Sequence, residues 1–471
     1  MIADAPTARR RRWHWRRLDT AAGGLALDLG LYAVSAIFAA ITAVTSTLLP
    51  HRAWGTIAAF GYLVATLVVI AQLLLRRRSP TARLAGLPAR WAVTGLTWAG
   101  TALLPLLWQS IERASGRTDR AQEEVLVVEQ AGTRLLEHGT PYLGPDAIAA
   151  LPPGEQLLGY TPYQPGMAMF GLPRALADTW WTDSRVWFAV CTALALALAV
   201  AALHRTPTSA ATAAKGYRRD AAMGHRRDAA TGHRRDAATG HRRDAALLRG
   251  VQAATVLPIC ALTLATGGDD LPVLALCLLA LALAATDRPG RAGLAVGLAG
   301  ALKLFAWPVA LVLIVWGLTR QAGTRVAAGA IGLPVAALLP AMLVDHDALT
   351  ENVLRFPLGH GLVTSPAQSP FPGYLIANAM PAGRLVAAAL LVATGVAIAV
   401  RLARRPPRTA VATALICGYG LLAAIALMPS TRFGYLLYPL ALLTWAPALR
   451  RPVDTPTAPA PDELSGRTTS A

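Results

Sequence analysis

The chain has 471 residues, of which 54% are hydrophobic and only 15% charged, with 44 Lys and Arg against 26 Asp and Glu. So little charge, gathered between long uncharged runs, excludes an ordinary soluble domain. The net charge of +18 falls at the ends of apolar runs and in one loop, which fits contact with anionic membrane lipid and gives no reason to expect nucleic acid.

Residues 1–24 form a basic flank, with Arg9–Arg12, Trp13, Trp15, Arg16 and Arg17. The apolar run behind it is too long for a signal-peptide core and shows no convincing cleavage site, so it reads as a retained first span. Spans are expected at 25–49, 54–75, 91–109, 185–203, 250–267, 271–286, 326–344, 384–403, 409–428 and 433–448, each apolar enough to cross a bilayer as a helix. The connecting segments alternate in charge: 76–90, 204–249, 287–291, 320–325 and 401–408 are basic, whereas 112–183, 267–270 and 345–351 are acidic or mixed. The positive-inside rule then puts both termini in the cytoplasm and the carboxylates outside. The expected architecture is an all-α polytopic membrane protein of about ten transmembrane helices, a single domain over 25–450 with structured outer loops at 110–184 and 345–383.

Residues 291–318 do not fit one span, because Arg288 and Arg291 flank one end and Arg320 and Arg325 the other. A re-entrant pair of half-helices, its Lys303–Pro308 turn buried in protein, satisfies the charge rule; a single tilted helix with Lys303 snorkelling would break the alternation. Loop 204–249 repeats an octapeptide from Gly216, Gly224, Gly232 and Gly240, with eleven Lys and Arg against four Asp. It reads as a disordered cytoplasmic linker grown by tandem duplication, and the tail 451–471, rich in Pro, Thr, Ala and Ser, as disordered too. Cys191, Cys260, Cys277 and Cys417 all lie inside apolar runs and read as small core hydrophobes, with no disulfide or metal pattern.

The outer segments carry the chemistry. Gln122 to Glu137 has helical spacing at Val125, Val128, Ala131 or Gly132, and Leu135, and Gly139 ends it before Thr140-Pro141-Tyr142. Glu124 shares a face with Val128, Ala131 and Leu135, whereas Glu123 aligns with Gln130 and Arg134. Glu124 is therefore expected against apolar surface, where a carboxylate's pKa rises towards that of a general base, and Glu123 in water. The plainer reading is that both complement the helix dipole. Tyr160 and Tyr163 sit on a turn stiffened by Pro162 and Pro165, placed to stack on a sugar or to anchor at the interface. Asp269 and Asp270 follow Gly267-Gly268 at an outer turn, where they could position a hydroxyl or merely hydrate the turn. Asp345-His346-Asp347 lacks the ligands a metal needs. Residues 352–374, with Arg355, His360 and seven Pro and Gly before Tyr374, suggest a binding loop or lid. Arg432 is a cation on the outer side, suited to a phosphate or to pairing with an outer carboxylate.

Together the segment Leu135-Leu136-Glu137-His138-Gly139-Thr140-Pro141-Tyr142, the Tyr160–Pro165 turn, Gly268-Asp269-Asp270, Ala301-Leu302-Lys303 and Arg432-Phe433-Gly434-Tyr435 resemble the GT-C class of membrane glycosyltransferases, specifically glycosyltransferase family 87. The resemblance runs from about Gln122 to Tyr438. It implies a multi-pass protein of a bacterial plasma membrane that moves a sugar, mannose by family, from a polyprenyl-phosphate donor to a lipid or glycan acceptor on the outer face, with inversion. No metal or cofactor is implied, because the leaving group is a phosphomonoester and cationic side chains are at hand. Where the family places an Asp as base, the match falls on Glu124, next to Glu123; Asp269 and Asp270 are the rival catalytic pair. Arg432 and Lys303 would hold the donor phosphate, and Tyr142, Tyr160, Tyr163, Arg355, His360 and Tyr435 would line the substrate. Two spans before residue 90 depart from the family pattern. The competing readings are a transporter or lipid flippase, for which no matching interrupted spans appear in the two halves, and a silent scaffold of the same fold.

Overall fold

The computed structural model describes residues 21–204 and 226–450, with only the backbone described at 226–239 and 241. The basic flank 1–20, the repeat residues 205–225 and the tail 451–471 lie outside the described residues. The fold is all-α: among the described residues the one β pairing is an isolated bridge between Gln368 and Thr431.

In chain order the main helices are α1 (Leu25–Thr45), α2 (Leu49–Arg78), α3 (Leu87–Trp98), α4 (Leu104–Ala114), α5 (Glu123–His138), α6 (Ser184–His204), α7 (Arg226–Thr255), α8 (Pro258–Thr266), α9 (Asp270–Ala285), α10 (Pro289–Leu302), α11 (Trp307–Leu318), α12 (Gly323–Val344), α13 (Gly383–Arg404), α14 (Ala410–Leu427) and α15 (Leu437–Trp445). Six helices among the described residues, α1, α2, α6, α12, α13 and α14, are long and apolar enough to cross a membrane, and a seventh span arises if residues 242–255 and α8, bent by 43°, count as one. The other expected spans fall on helices that are shorter or interrupted. A π-helical turn at Ala99–Leu103 joins α3 to α4. Helix α9 has 16 residues, about 24 Å of helix against a hydrocarbon core of about 30 Å. Nine-residue α15 is flanked by 3-10 turns.

The octapeptide segment also departs from expectation. Its backbone is helical from Arg226 onward, where a disordered linker was expected. The Ala pairs and arginines of each copy are strong helix formers, and the run leads directly into a packed helix.

Helix α9 is the hub. All of its residues are buried, which suits a helix that is apolar on every face. Helices α6 and α10 pack along it, and α10 packs against α12. The α10–α12 contact is a small-residue seam: Gly293 faces the Val326 backbone and Gly297 the Gly329 backbone, so the two backbones approach closely. Helices α10 and α11 form a hairpin whose open end is tied by Arg320 and Asp287 at 3.0 Å. Its apex is Lys303, in extended backbone (φ −154°) between α10 and a 3-10 turn. The apex reaches the start of α9, at the opposite end of that helix from Asp287.

At the Asp287 end of the bundle lies a buried polar network that joins α1, α3 and α7. Asp28 accepts from Arg90 Nε at 2.5 Å and Gln252 Nε2 at 2.9 Å, and pairs with Arg249. Both Asp28 and Arg90 are less than a twentieth exposed, so each needs the other.

Glycine at the seam is testable. A Cβ on Gly297 would overlap the Gly329 carbonyl oxygen, whereas one on Gly332 would meet open space. Gly297→Ala is expected to cost about 1–3 kcal/mol and Gly332→Ala almost nothing, read as the unfolding midpoint in detergent. Equal midpoints for the two variants would contradict the seam.

Candidate functional site

The carboxylates gather at one end of the bundle, where α5 crosses the ends of the membrane helices. Gln122 N–H donates to the Thr266 carbonyl at 3.0 Å, and Thr266 Oγ1 donates to Gln122 Oε1 at 2.8 Å. These bonds fasten the start of α5 to the end of α8. The helix buries Val125, Val128, Ala131 and Gly132 and stops at Gly139, whose left-handed backbone (φ 73°) favours glycine. Its first two residues differ in exposure as their spacing implies, but Glu124 meets a guanidinium where apolar surface was expected. Glu123 is exposed, whereas the Glu124 side chain is 17% exposed and pairs with Arg432.

Arg432 stands on a laced turn. Thr431 N–H donates to Ala367 O, Ser369 N–H to Thr431 O, and Phe433 N–H to Ser369 Oγ, each at 2.9 Å. The Pro-rich loop around Ala367 therefore fixes the arginine-bearing turn. Both readings of Arg432 meet here, since the carboxylate that it pairs with is the candidate base.

The second centre is adjacent. Gln122 and Glu124 side chains lie against Gly267, two residues before Asp269. Gly268 has φ 92° and the Phe188 ring packs where a side chain would go, so the turn requires glycine. Lys303 Nζ donates to Asp269 Oδ2 at 2.7 Å and to Asp270 Oδ1 at 2.6 Å. Tyr438 Oη donates to Asp270 Oδ1 at 2.8 Å. Phe305 stacks on Tyr438 with centroids 5.2 Å apart and leans on Tyr435 at 4.6 Å. The Lys303 ammonium lies 5.2 Å from the Tyr163 ring centre and 5.8 Å from that of Tyr435. Two carboxylates share one ammonium.

Other expected residues have different surroundings. Tyr142 is buried and donates to the Tyr163 carbonyl at 2.7 Å. Tyr160 is buried, donates to Glu351 Oε1 at 2.9 Å, accepts Leu362 N–H at 2.8 Å, and stacks on Phe356 at 4.1 Å. Tyr160, with ring and hydroxyl both engaged, does not offer the open face expected for stacking on a sugar, and Tyr163 is buried with its ring against Lys303. The Pro turn folds inward because Gln164 N–H bonds the Leu302 carbonyl at 3.1 Å, and buried phenols seek polar partners. Arg355 pairs with Glu351 at 3.3 Å, and His360 is exposed with its N–H on the Arg355 carbonyl. Tyr160 thus joins the two long segments, whereas Arg355 and His360 bond within their own. Asp345 caps its own helix by accepting Ala348 N–H at 2.8 Å, and no group of three or more His, Cys, Asp or Glu arranged for a metal occurs among the described residues.

Sequence reasoning missed Gln122, Phe305 and Tyr438 at the site, and a charged clamp beneath it. Arg113 bonds Glu129 at 2.5 Å and Asp183 at 3.0 Å. Asp183 also pairs with Arg185 at 2.7 Å, and Arg185 reaches the Arg120 and Ala265 carbonyls. The clamp ties α5 to α4, α6 and the end of α8. Burial alone would raise the Asp183 pKa, but Arg185 and Arg113 outweigh it and hold the carboxyl well below the usual range. Burial pulls Arg134 down to about 10; it donates to the Gly159 carbonyl and Thr161 Oγ1.

A bundle of apolar helices with a charged, half-buried centre where a two-segment cap meets one end defines an all-α membrane protein. The family model for Glycosyltransferase family 87 matches residues 160–429, more than half of the chain, and the chain belongs to that family. It is a membrane glycosyltransferase. The matched stretch contains Asp269, Asp270 and Lys303 and leaves Glu124 and Arg432 outside it. No curated protein and no solved structure matches the chain.

The clamp yields a pH dependence. Because folding depresses the Asp183 pKa, its stabilisation is complete above the unfolded value of about 4 and drains away as pH falls below that towards the folded value. The unfolding midpoint in detergent is expected to drop on acidification, and Asp183→Asn is expected to start lower at neutral pH and fall less. Parallel profiles for wild type and variant would contradict the assignment.

Proposed function

We propose that the chain transfers a sugar, mannose in the first instance, from a polyprenyl-phosphate donor to a hydroxyl of a lipid or glycan acceptor on the outer face of a bacterial plasma membrane, with inversion. The observation that carries the reading is the Glu124–Arg432 pair set beside the Asp269–Asp270–Lys303 triad, in a member of this family. In the reaction the acceptor oxygen forms a bond to the anomeric carbon as the bond from that carbon to the phosphate oxygen breaks. The hydroxyl proton passes to a carboxylate, and the polyprenyl phosphate leaves with increased negative charge.

Glu124 is the favoured base. It lies on the rim, part exposed, whereas Asp269 and Asp270 are 3% and 6% exposed and already share Lys303. Arg432, its side chain 35% exposed, is the favoured partner of the donor phosphate, because its fork binds two oxygens at once. Lys303 has both of its counter-ions in place and is assigned to holding the Asp269–Asp270 turn. An ion-pair exchange follows from this geometry. A donor phosphate that takes Arg432 releases Glu124, whose carboxylate then loses its cation and becomes a stronger base. Donor binding thereby arms the acceptor step. The lipid tail stays among the spans, so the donor need not leave the membrane.

Transfer from radiolabelled polyprenyl-phosphate-mannose to a membrane lipid extract, by purified protein in nanodiscs, tests the scheme. Glu124→Gln is expected to lower kcat by roughly a hundredfold or more, and Arg432→Gln to raise the donor KM by about 10–100-fold. Full activity in Glu124→Gln with loss in Asp269→Asn would move the base to the Gly-Asp-Asp turn. Failure of wild type with a panel of lipid-linked sugars would remove the reading.

A further inference from the structure

At the end of the bundle opposite the carboxylates, a cavity of about 480 Å³ is lined by Arg288, Pro289, Gly290, Arg291 and Arg325. Arg288 and Arg291 stand at the start of α10, and Arg325 at the start of α12. Cations at a helix N-terminus oppose the dipole, and neither N-terminus is capped by a side chain. The glycine seam brings the two helix starts together, and the three arginines, all exposed, line one hollow there, with the helix dipoles adding to their field. Among the described residues no carboxylate pairs with any of the three, while neighbouring Asp287 is taken by Arg320.

Such a concentration of like charge, imposed by backbone packing, calls for an anion. Farther along the two helices exposed apolar side chains follow. Leu294 and Leu298, three and seven residues after Arg291, are 51% and 49% exposed, and Ile331 and Val335 on α12 are 46% and 47% exposed. A cationic hollow at the end of two membrane helices with exposed apolar flanks suits an anionic lipid head.

We propose that Arg288, Arg291 and Arg325 form a site for a phosphate oxyanion carried by an anionic phospholipid, on the face away from the carboxylate site. Arginine forks suit phosphate oxygens bidentately, and each basic group near an anionic lipid surface adds a similar increment of affinity.

The test uses the full-length protein, stripped of lipid in a neutral detergent. It is titrated with phosphatidylglycerol, with phosphatidylcholine and with inorganic phosphate, and bound ligand is counted by native mass spectrometry. Phosphatidylglycerol is expected to bind in preference to phosphatidylcholine. The triple variant R288Q/R291Q/R325Q is expected to weaken its binding roughly a hundredfold, about fivefold per arginine. R288K/R291K/R325K keeps the charge, checks the fold and should bind more tightly than R288Q/R291Q/R325Q and less tightly than wild type. R401Q/R404Q, neutralising the basic end of α13, should leave it unchanged. Displacement of the lipid by millimolar inorganic phosphate would assign the pocket to the oxyanion alone, and resistance to displacement would assign it to head and chains together; either supports the site. A lipid preference that survives in R288Q/R291Q/R325Q, or that R401Q/R404Q weakens equally, overturns the proposal.

Discussion

The ammonium of Lys303 is the constraint around which this end of the molecule is arranged. A charge at the apex of a buried helical hairpin is costly unless it is paired, and its partners come from a different element, the first turn of α9. Meeting that need fixes the depth of the hairpin, the position of the Gly267–Asp270 turn and the packing of Tyr438 and Phe305 around it. The turn in turn receives Gln122 and Glu124 from α5. The triad thus couples the membrane core to the capping segment, and the rim pair of Glu124 and Arg432 rests on that foundation.

The division of labour between the two centres follows from exposure and charge. The inner triad is saturated, with an ammonium between two carboxylates and a phenol on one of them. The rim pair is half open and consists of one acid and one cation, each with the chemistry that a sugar transfer from a phosphate donor calls for. Membership of glycosyltransferase family 87 gives the reaction class, while the donor, acceptor and face of the membrane belong to the proposed function. The charged clamp of Arg113, Glu129, Asp183 and Arg185 keeps α5 at a set angle to the spans and so maintains the distance between the centres.

Much of this was legible in the sequence, and the failures are instructive. Helical spacing separated Glu124 from Glu123, because a surface helix must turn one face inward. The charges flanking residues 291–318 implied a hairpin, and the helix does break at Lys303. Contacts between distant segments were not legible. Tyr160 looked like a free ring on a stiff turn, yet its partner Glu351 lies 191 residues away. Asp28 and Arg90 sit at the ends of apolar runs, where their charge was absorbed into the topology count; Asp28 inside the first span was the available signal of a buried partner. Ten spans were read from hydropathy where six or seven helices among the described residues are long and apolar enough to cross alone, since hydropathy does not register helix breaks or short helices.

The central claim is that Arg432 is held by Glu124 until a donor phosphate replaces it. The most direct measurement is equilibrium binding of the polyprenyl-phosphate sugar, without acceptor, to wild type, Glu124→Gln and Arg432→Gln. The account predicts tighter binding in Glu124→Gln, because the competing carboxylate charge is gone, and weaker binding in Arg432→Gln. Equal weakening in both variants would contradict it, and would leave the pair as a structural tie between α5 and the Arg432 turn.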